Sequence, residues 1–425
     1  MVALDYELGY LLEPHASPAG WRAGQAALGR AWRFRDRIAL SAAEAEAWLA
    51  GQVGSVSAGI GGLHPAIDER EYRAAVQRIK QLIFEGDCYQ VNYTFPLEFS
   101  WFGDPLALYA RLRERQPVRY GGYVGDRQGG IVSLSPELFL ERQGERLLTR
   151  PMKGTAERCA PREQLRDSLK DRAENLMIVD LLRNDLGRVA ESGSVKVERL
   201  FDIEDYPTVW QMVSEVSARV PGCDFAAVLR ALFPCGSITG APKIRAMQIV
   251  GELEKTPRGL YTGALGWLAT DGDFRLNVAI RTLELAANGR GRLGVGSGVV
   301  ADSQPDAEWH ECLMKANFLR DCDPGIRLIE TLRRENGTYP RLAGHLARLA
   351  RSAEWLGFPF DEAAVRAMLA EQPAAGLWRV RLTLGKDGRP EALAFALAAE
   401  PPGPRFALLA DETIDSSHPL RRHKT

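Results

Sequence analysis

Between Ser133 and Val189 the chain sets three short segments close together: SLSPELFL (Ser133–Leu140), TRPMKGT (Thr149–Thr155) and DRAENLMIVDLLRNDLGRV (Asp171–Val189). The last is strongly apolar yet carries Asp180, Arg183, Asn184 and Asp185. A lone charge buried in an apolar helix is very costly, so these groups must be paired wherever they are buried. We read them as mostly structural, bracing whatever lies beside the helix. Ahead of them Glu137 stands sixteen residues before Lys153, and Glu174 opens the apolar segment. Lys153 falls between a proline-led turn and a glycine, short and stiff backbone that suits a positioned amine. An ordinary surface lysine fits the same local residues equally well.

The remaining patterns interleave strands and helices without a regular strand–helix–strand period, which predicts an α+β fold with antiparallel sheets. Ile67–Gly86 reads as a helix, with Asp68 and Glu71 in capping-box spacing and Tyr72, Val76, Ile79 and Ile83 on one face. The next segment, DCYQVNYTFPLEF, alternates as a half-buried strand with a polar face holding Gln90, Asn92 and Thr94. Residues 118–150 read as antiparallel strands with tight turns, and Tyr6–Pro14 (YELGYLLEP) as an ordinary strand. Tyr261–Leu268 and Leu276–Leu285 also read as strands, the second carrying Arg281 among apolar neighbours. Such an arginine is either paired with an acid or aimed into a cleft. Gly236–Lys243 (GSITGAPK) is a loop whose amides could cradle an anion, with Thr239 and Gly240 at its centre. Gly294, Gly296 and Gly298 permit close backbone approach to a ligand. Glu308, Glu311 and Lys315 share one helix face, which read alone is a solvated row of ion pairs.

Composition excludes several classes. The 425 residues hold 54 Lys+Arg against 55 Asp+Glu, so no nucleic-acid or membrane-surface field is implied. No apolar run reaches bilayer length, and the start carries Asp5 and Glu7 in place of a basic signal region. Six cysteines without metal or C-x-x-C spacing read as free thiols in a reducing cytoplasm.

SPELFL, PMKGT, AENLMIVDLLRNDLGRV, GSITGAPK, Arg281 and GVGSGVVADSQPDAEWHECLMK (Gly294–Lys315) together resemble the chorismate-utilising enzymes, across roughly residues 60 to 320 and in that family's order. The family comprises anthranilate, aminodeoxychorismate, isochorismate and salicylate synthases. The lysine of PMKGT resembles the aminodeoxychorismate synthases, where relatives usually have alanine. The resemblance implies two large antiparallel sheets packed as a sandwich with helices outside. It implies Lys153 as nucleophile and Glu137 as general acid. Glu174 and Glu311 would be magnesium ligands, with Glu308 acting through water. Gln90, Thr239, Gly240, Tyr261, Arg281, Gly296, Ser297, Gly298 and Lys315 would form the chorismate site. Gln90 stands where the water-using members have lysine, and Gln211 where anthranilate synthases have histidine. No glutaminase elbow is present, so ammonia would come from a separate glutamine amidotransferase subunit or from solution. The alternatives are anthranilate synthase component I, or a degenerate protein that binds without catalysis.

DCDPG (Asp321–Gly325) marks a boundary, giving units of 1–322, with an N-terminal edge shorter than the family's, and 326–425. The second resembles part of the fold-type IV pyridoxal-phosphate enzymes, in particular aminodeoxychorismate lyase, through IETLR, YPRLAGHLARLARSAEWLGF and HPLRRHKT. Leu346, Leu349, Ala353 and Leu356 there keep helical spacing. The resemblance implies Arg348 on the cofactor phosphate and Lys424 as Schiff-base lysine. The chain stops one residue after Lys424, so lyase activity is not expected of it alone.

Overall fold

The computed structural model describes residues 1–425 except 19–20, 23, 25–26, 55, 127–128, 207–208 and 399–417. Among the described residues every strand pairing is antiparallel. A nine-stranded sheet runs Lys196–Asp205, Val209–Arg219, Arg146–Arg150, Leu138–Gln143, Phe274–Val278, Ala264–Leu268, Val2–Leu4 and Gly29–Ala31, and Met152–Glu157 also pairs with Val209–Arg219. A seven-stranded sheet runs Gly240–Ala241, Gln90–Phe102, Arg290–Val299, Thr282–Ala286, Gly129–Ser133 and Gly122–Asp126, with Gly59–Pro65 beside Gln90–Phe102. Val124 and Ile131 of the second sheet pack on Ala3 and Leu265 of the first, joining the two.

Helices close the outer faces. Tyr72 from Glu69–Phe84 and Trp309 from Pro305–Met314 pack around Phe95 of the seven-stranded sheet. Ile178, Val179 and Leu182 from Leu169–Gly187 pack on Phe139, Leu147 and Val216 of the larger sheet. The Asp68 side chain accepts from the Glu71 N–H at 2.8 Å, which fixes the start of its helix.

Four expectations change. Tyr6–Pro14 is not a strand: Leu8–Leu12 is helical, because Gly9 packs on Pro234 and Met247 and Tyr6 and Tyr10 are both buried at i,i+4 spacing. The strand from Gln90 has no solvated polar face, since Gln90 through Leu97 are all buried, the strand lying between Arg290–Val299 on one flank and Gly240–Ala241 and Gly59–Pro65 on the other. The run Leu276–Leu285 divides between the sheets, as Phe274–Val278 and Thr282–Ala286, and Arg281 lies at the crossover in left-handed backbone (φ 49°). Asp180 and Arg183 pair at 2.8 Å on the exposed side of their helix, so only Asp185 is a buried brace, held by Lys243 Nζ at 2.8 Å.

A third sheet, Leu328–Glu335, Leu377–Leu384 and Pro390–Ala396, is backed by helices Leu342–Leu356 and Glu362–Ala370. The Trp355 ring lies so close on Gly61 that a Cβ there would stand 2.1 Å from it, and His423 stacks on Trp355 at 4.5 Å. Part of this region, 399–417, lies outside the described residues.

Candidate active site

The strand Met152–Glu157 is irregular where it carries Lys153. Thr155 stands opposite Gln211 and Met152 opposite Val213, so Lys153 and Gly154 together face the single residue Met212. This is a β-bulge, an arrangement that re-aims a side chain. Gly154 takes φ +90°, and a Cβ there would meet Asp171 at 3.0 Å, so glycine is required. Two side-chain amides pin the bulge. Asn175 Nδ2 donates to the Lys153 carbonyl at 3.4 Å, and Gln211 Nε2 donates to the Gly154 carbonyl at 2.8 Å. Thr155 Oγ1 donates to Gln211 Oε1 at 2.9 Å, and Ser214 Oγ donates to Asn175 Oδ1 at 2.6 Å.

Burial lowers the Lys153 amine from its ordinary value; Glu137 and Glu174 oppose that, and Lys315 reinforces it. Glu137 is 5 % exposed, and burial raises its carboxyl; a hydroxyl hydrogen bond from Ser237 at 2.7 Å and the charge of Lys153 work the other way. Desolvation therefore drives both partners toward their uncharged forms, –NH2 and –COOH. A free amine can attack carbon and a carboxylic acid can protonate a leaving oxygen. Cys235 also lies within reach of this charge pair, but burial pushes its thiol up to about 12, which leaves it unreactive.

Around this centre the other residues divide by what they already touch. The Arg281 guanidinium has no hydrogen-bond or ion-pair partner among the described residues, and burial lowers its pKa, with Tyr206 acting the other way. An unpartnered half-buried guanidinium keeps its donor fork available to a carboxylate. Lys315 Nζ donates to the Gly296 carbonyl at 2.8 Å and pairs with Glu311 at 2.7 Å. Gly294, Gly296 and Gly298 are close-approach positions, but against protein: a Cβ would strike the Tyr261 ring at 2.0 Å, the Tyr93 carbonyl at 2.6 Å and Gln90 Nε2 at 2.6 Å. Gln90 and Tyr261 thus lie against one glycine-lined strand. The Ser297 hydroxyl points to the opposite face, hydrogen-bonded with Tyr72 at 2.8 Å, so only its backbone is left for a ligand. Thr239 is buried and its hydroxyl donates to the Cys235 carbonyl at 2.8 Å; its own carbonyl accepts from Asn92 at 3.0 Å. Gly240 takes φ +137° against the Gln90 carbonyl.

Glu174 comes from one helix and Glu308 and Glu311 from another, and Lys170 with Asp302 at 3.6 Å links the starts of those helices. Among the described residues no three acidic, histidine or cysteine side chains are gathered closely enough to hold a metal by themselves. Magnesium is commonly bound through one or two protein carboxylates, water and substrate oxygens, so this all-carboxylate donor set fits it.

Residues 4–321 match the family model described as chorismate binding enzyme. The chain belongs to that family. Residues 327–425 match a second model, amino-transferase class IV. The chain is 42% identical over 283 residues to the aminodeoxychorismate synthase component 1 of Klebsiella aerogenes, covering 64% of this chain and 62% of that one. It is 43% identical over 255 residues to the protein of the same name from Escherichia coli (strain K12), covering 58% and 56%. The chain thus spans less than two thirds of these relatives' own length. Its fold matches anthranilate synthase component I from Streptococcus pneumoniae TIGR4 with a TM-score of 0.62 and 26% identity, over 75% of this chain and 79% of that one.

Arg348 and Lys424 are not brought together. Arg348 forks onto Glu330 at 2.6 and 2.5 Å, and His345 shares that carboxylate at 2.7 Å. Lys424 Nζ donates to Thr331 Oγ1 at 3.0 Å. Glu330 and Thr331 are neighbours on one strand, so their side chains leave on opposite faces. With Arg348 neutralised and Lys424 on the far side, these two residues do not fit a pyridoxal-phosphate site in this arrangement. Sequence reasoning missed Ser237, which sits inside the GSITGAPK loop, and Asn175, one residue from Glu174. It also missed Arg258, fully buried between Glu254 at 2.8 Å and the Tyr6 ring at 4.3 Å, which no local pattern flags.

Proposed function

We propose that the chain makes 4-amino-4-deoxychorismate from chorismate and ammonia, the reaction of an aminodeoxychorismate synthase. The carrying observation is Lys153 and Glu137 sharing one buried centre whose desolvation favours both neutral forms. The Lys153 amine attacks C2 of the ring, and both ring double bonds shift by one position toward C4. The C4 hydroxyl leaves as water with the Glu137 proton, and the new ammonium at C2 gives a proton back to the Glu137 carboxylate. Ammonia then forms the C4–N bond, both double bonds shift back, and the C2–lysine bond breaks, the departing amine taking the proton that the new ammonium at C4 gives up. Arg281 and Lys315 would hold the substrate carboxylates, and Gln90, uncharged, would leave water unactivated. When bound, magnesium would offset the ring carboxylate charge, held by Glu174 and Glu311, with Glu308 through water. Ammonia would come from a glutamine amidotransferase partner, in keeping with the "component 1" in the relatives' names, or from solution. The free cysteines agree with a cytoplasmic setting. Residues 1–322 would carry this chemistry, and 326–425 would form a unit related to the class IV amino-transferases.

Incubation with chorismate, ammonia and magnesium tests the reading. A product that an added lyase converts to 4-aminobenzoate supports it; fluorescent anthranilate overturns it. Intact mass spectrometry without ammonia should show a chorismate-derived adduct on Lys153.

A further inference from the structure

We infer that Gln211 is a positioning residue for Lys153: its side-chain amide holds the bulge that aims the amine at the substrate ring. This rests on Lys153 being the nucleophile.

A bulge leaves part of the strand ladder unmade. Two residues opposing one cannot both complete the ladder, so the peptide planes on either side of Gly154 lack the hydrogen bonds that would fix a regular strand. Here both carbonyls are fixed by side chains from different elements. Asn175 reaches the Lys153 carbonyl from the helix, and Gln211 reaches the Gly154 carbonyl from the partner strand. Gln211 also accepts from the Thr155 hydroxyl, so its amide is used at both ends and has one orientation. The peptide after Gly154 is thereby locked, and with it the bulged backbone that carries the Lys153 stem, whose amine lies within electrostatic reach of Glu137 and Glu174. The hydrogen bonds of the Gln211 side chain go to Gly154 and Thr155, the residues that follow Lys153 in the bulge. The lever is long: a small rotation at the Lys153 backbone is carried out along a four-carbon stem. A misplacement of about 1 Å at a reacting atom can cost about a hundredfold in rate. Asn175 and Ser214 are buried and braced by each other, whereas Gln211 is half-buried beside an exposed Thr155, so it can be altered with the least damage to the core.

The test is time-resolved intact mass spectrometry of adduct formation at Lys153 with chorismate and magnesium, without ammonia, across pH. Gln211→Leu should slow adduct formation about tenfold or more while leaving the chorismate concentration for half-maximal rate within about twofold. The acid side of its pH profile should also move toward higher pH, as a loosened amine regains water and its ordinary basicity. A purely structural glutamine would change the melting temperature and leave that profile in place. Should Gln211→Leu fail to fold, Gln211→Glu has the same length, keeps an acceptor for Thr155 and sets a second acceptor against the Gly154 carbonyl. It should show the same slowing. An unchanged rate and pH profile in a folded variant overturns the inference. If wild-type protein forms no adduct at Lys153, the functional reading fails and takes this inference with it. A wild-type adduct with unaffected variants rejects the positioning role alone.

Discussion

Lys153 and Arg281 in the larger part of the chain, and Arg348 and Lys424 in the last hundred residues, are four cations treated in opposite ways. Arg281 has no partner among the described residues, and Lys153 is held where burial lowers its pKa against the pull of Glu137 and Glu174. Arg348, by contrast, has its full fork on Glu330, and Lys424 rests on a hydroxyl at a sheet surface. The first pair is left wanting something from outside the chain. The second is already satisfied by it. A buried cation that is not fully paired costs stability, so the difference is what the proposed binding role of the first pair requires and what a purely structural role of the second pair leads one to expect.

The largest effect should follow from the reacting pair. Lys153→Ala should remove the adduct and lower the synthase rate by about 10⁴-fold or more. Glu137→Gln keeps the acceptor for Ser237 and should cost about 10²–10⁴-fold. Both should fold, since each replaces a group that burial disfavours in its charged form. The sign for Lys153 is definite: below the ordinary lysine range the unfolded chain binds a proton that the folded chain resists, so this residue costs stability as pH falls from that range toward the lowered value. Lys153→Met should therefore melt higher than wild type near neutral pH. An equal or lower melting temperature would mean the amine is solvated, and the contrast with Lys424 would vanish.

The pH profile comes next. The wild-type rate should fall on the acid side as the Lys153 amine takes a proton, and on the alkaline side as Glu137, raised by burial, loses one. A profile flat all the way between the ordinary carboxylate and the ordinary lysine ranges would contradict both assignments. Arg281→Leu should then raise KM by about ten- to a hundredfold, the worth of a charge-assisted hydrogen bond of about 1.5–3 kcal/mol, while leaving the melting temperature unchanged or higher. A loss of stability instead would reveal that Arg281 is a structural ion like Arg348.

These contrasts bear on what the sequence could disclose. The helix Glu69–Phe84 was legible because its apolar period and its cap are local properties. The N-terminal helix Leu8–Leu12 was not, since five residues are too few for a period and its fixing contacts come from Pro234 and Met247. Arg281 looked like part of one apolar strand because two short strands of different sheets abut with a single left-handed residue between them. Glu137, Lys153 and Glu174 were legible as residues, but the bulge that aims the lysine was not. A bulge is a property of register, and register depends on Gln211 and Val213, some sixty residues away in the chain.

The smallest effects are expected at the satisfied cations, and they differ from each other for a physical reason. Glu330 is 1 % exposed and accepts from both Arg348 and His345. Arg348→Ala would leave that buried carboxylate with the imidazole alone, and removing one partner of a buried charged group costs about 1–3 kcal/mol. That loss should appear as an earlier melting step, while synthase kinetics measured below it stay unchanged. It should also grow with pH: Glu330 is held below the ordinary carboxylate range despite its burial, by Arg348 and His345, so the stability it contributes is present above that range and lost as pH falls through the lowered value. Lys424→Ala removes one hydrogen bond from an exposed surface and should change stability by no more than about 0.5 kcal/mol. If instead Lys424→Ala proved as costly as Arg348→Ala, the Lys424 side chain on Thr331 would be a structural strut for the third sheet, beyond the hydrogen bond that the Ile329 N–H donates to the Lys424 carbonyl at 2.9 Å and that survives the substitution.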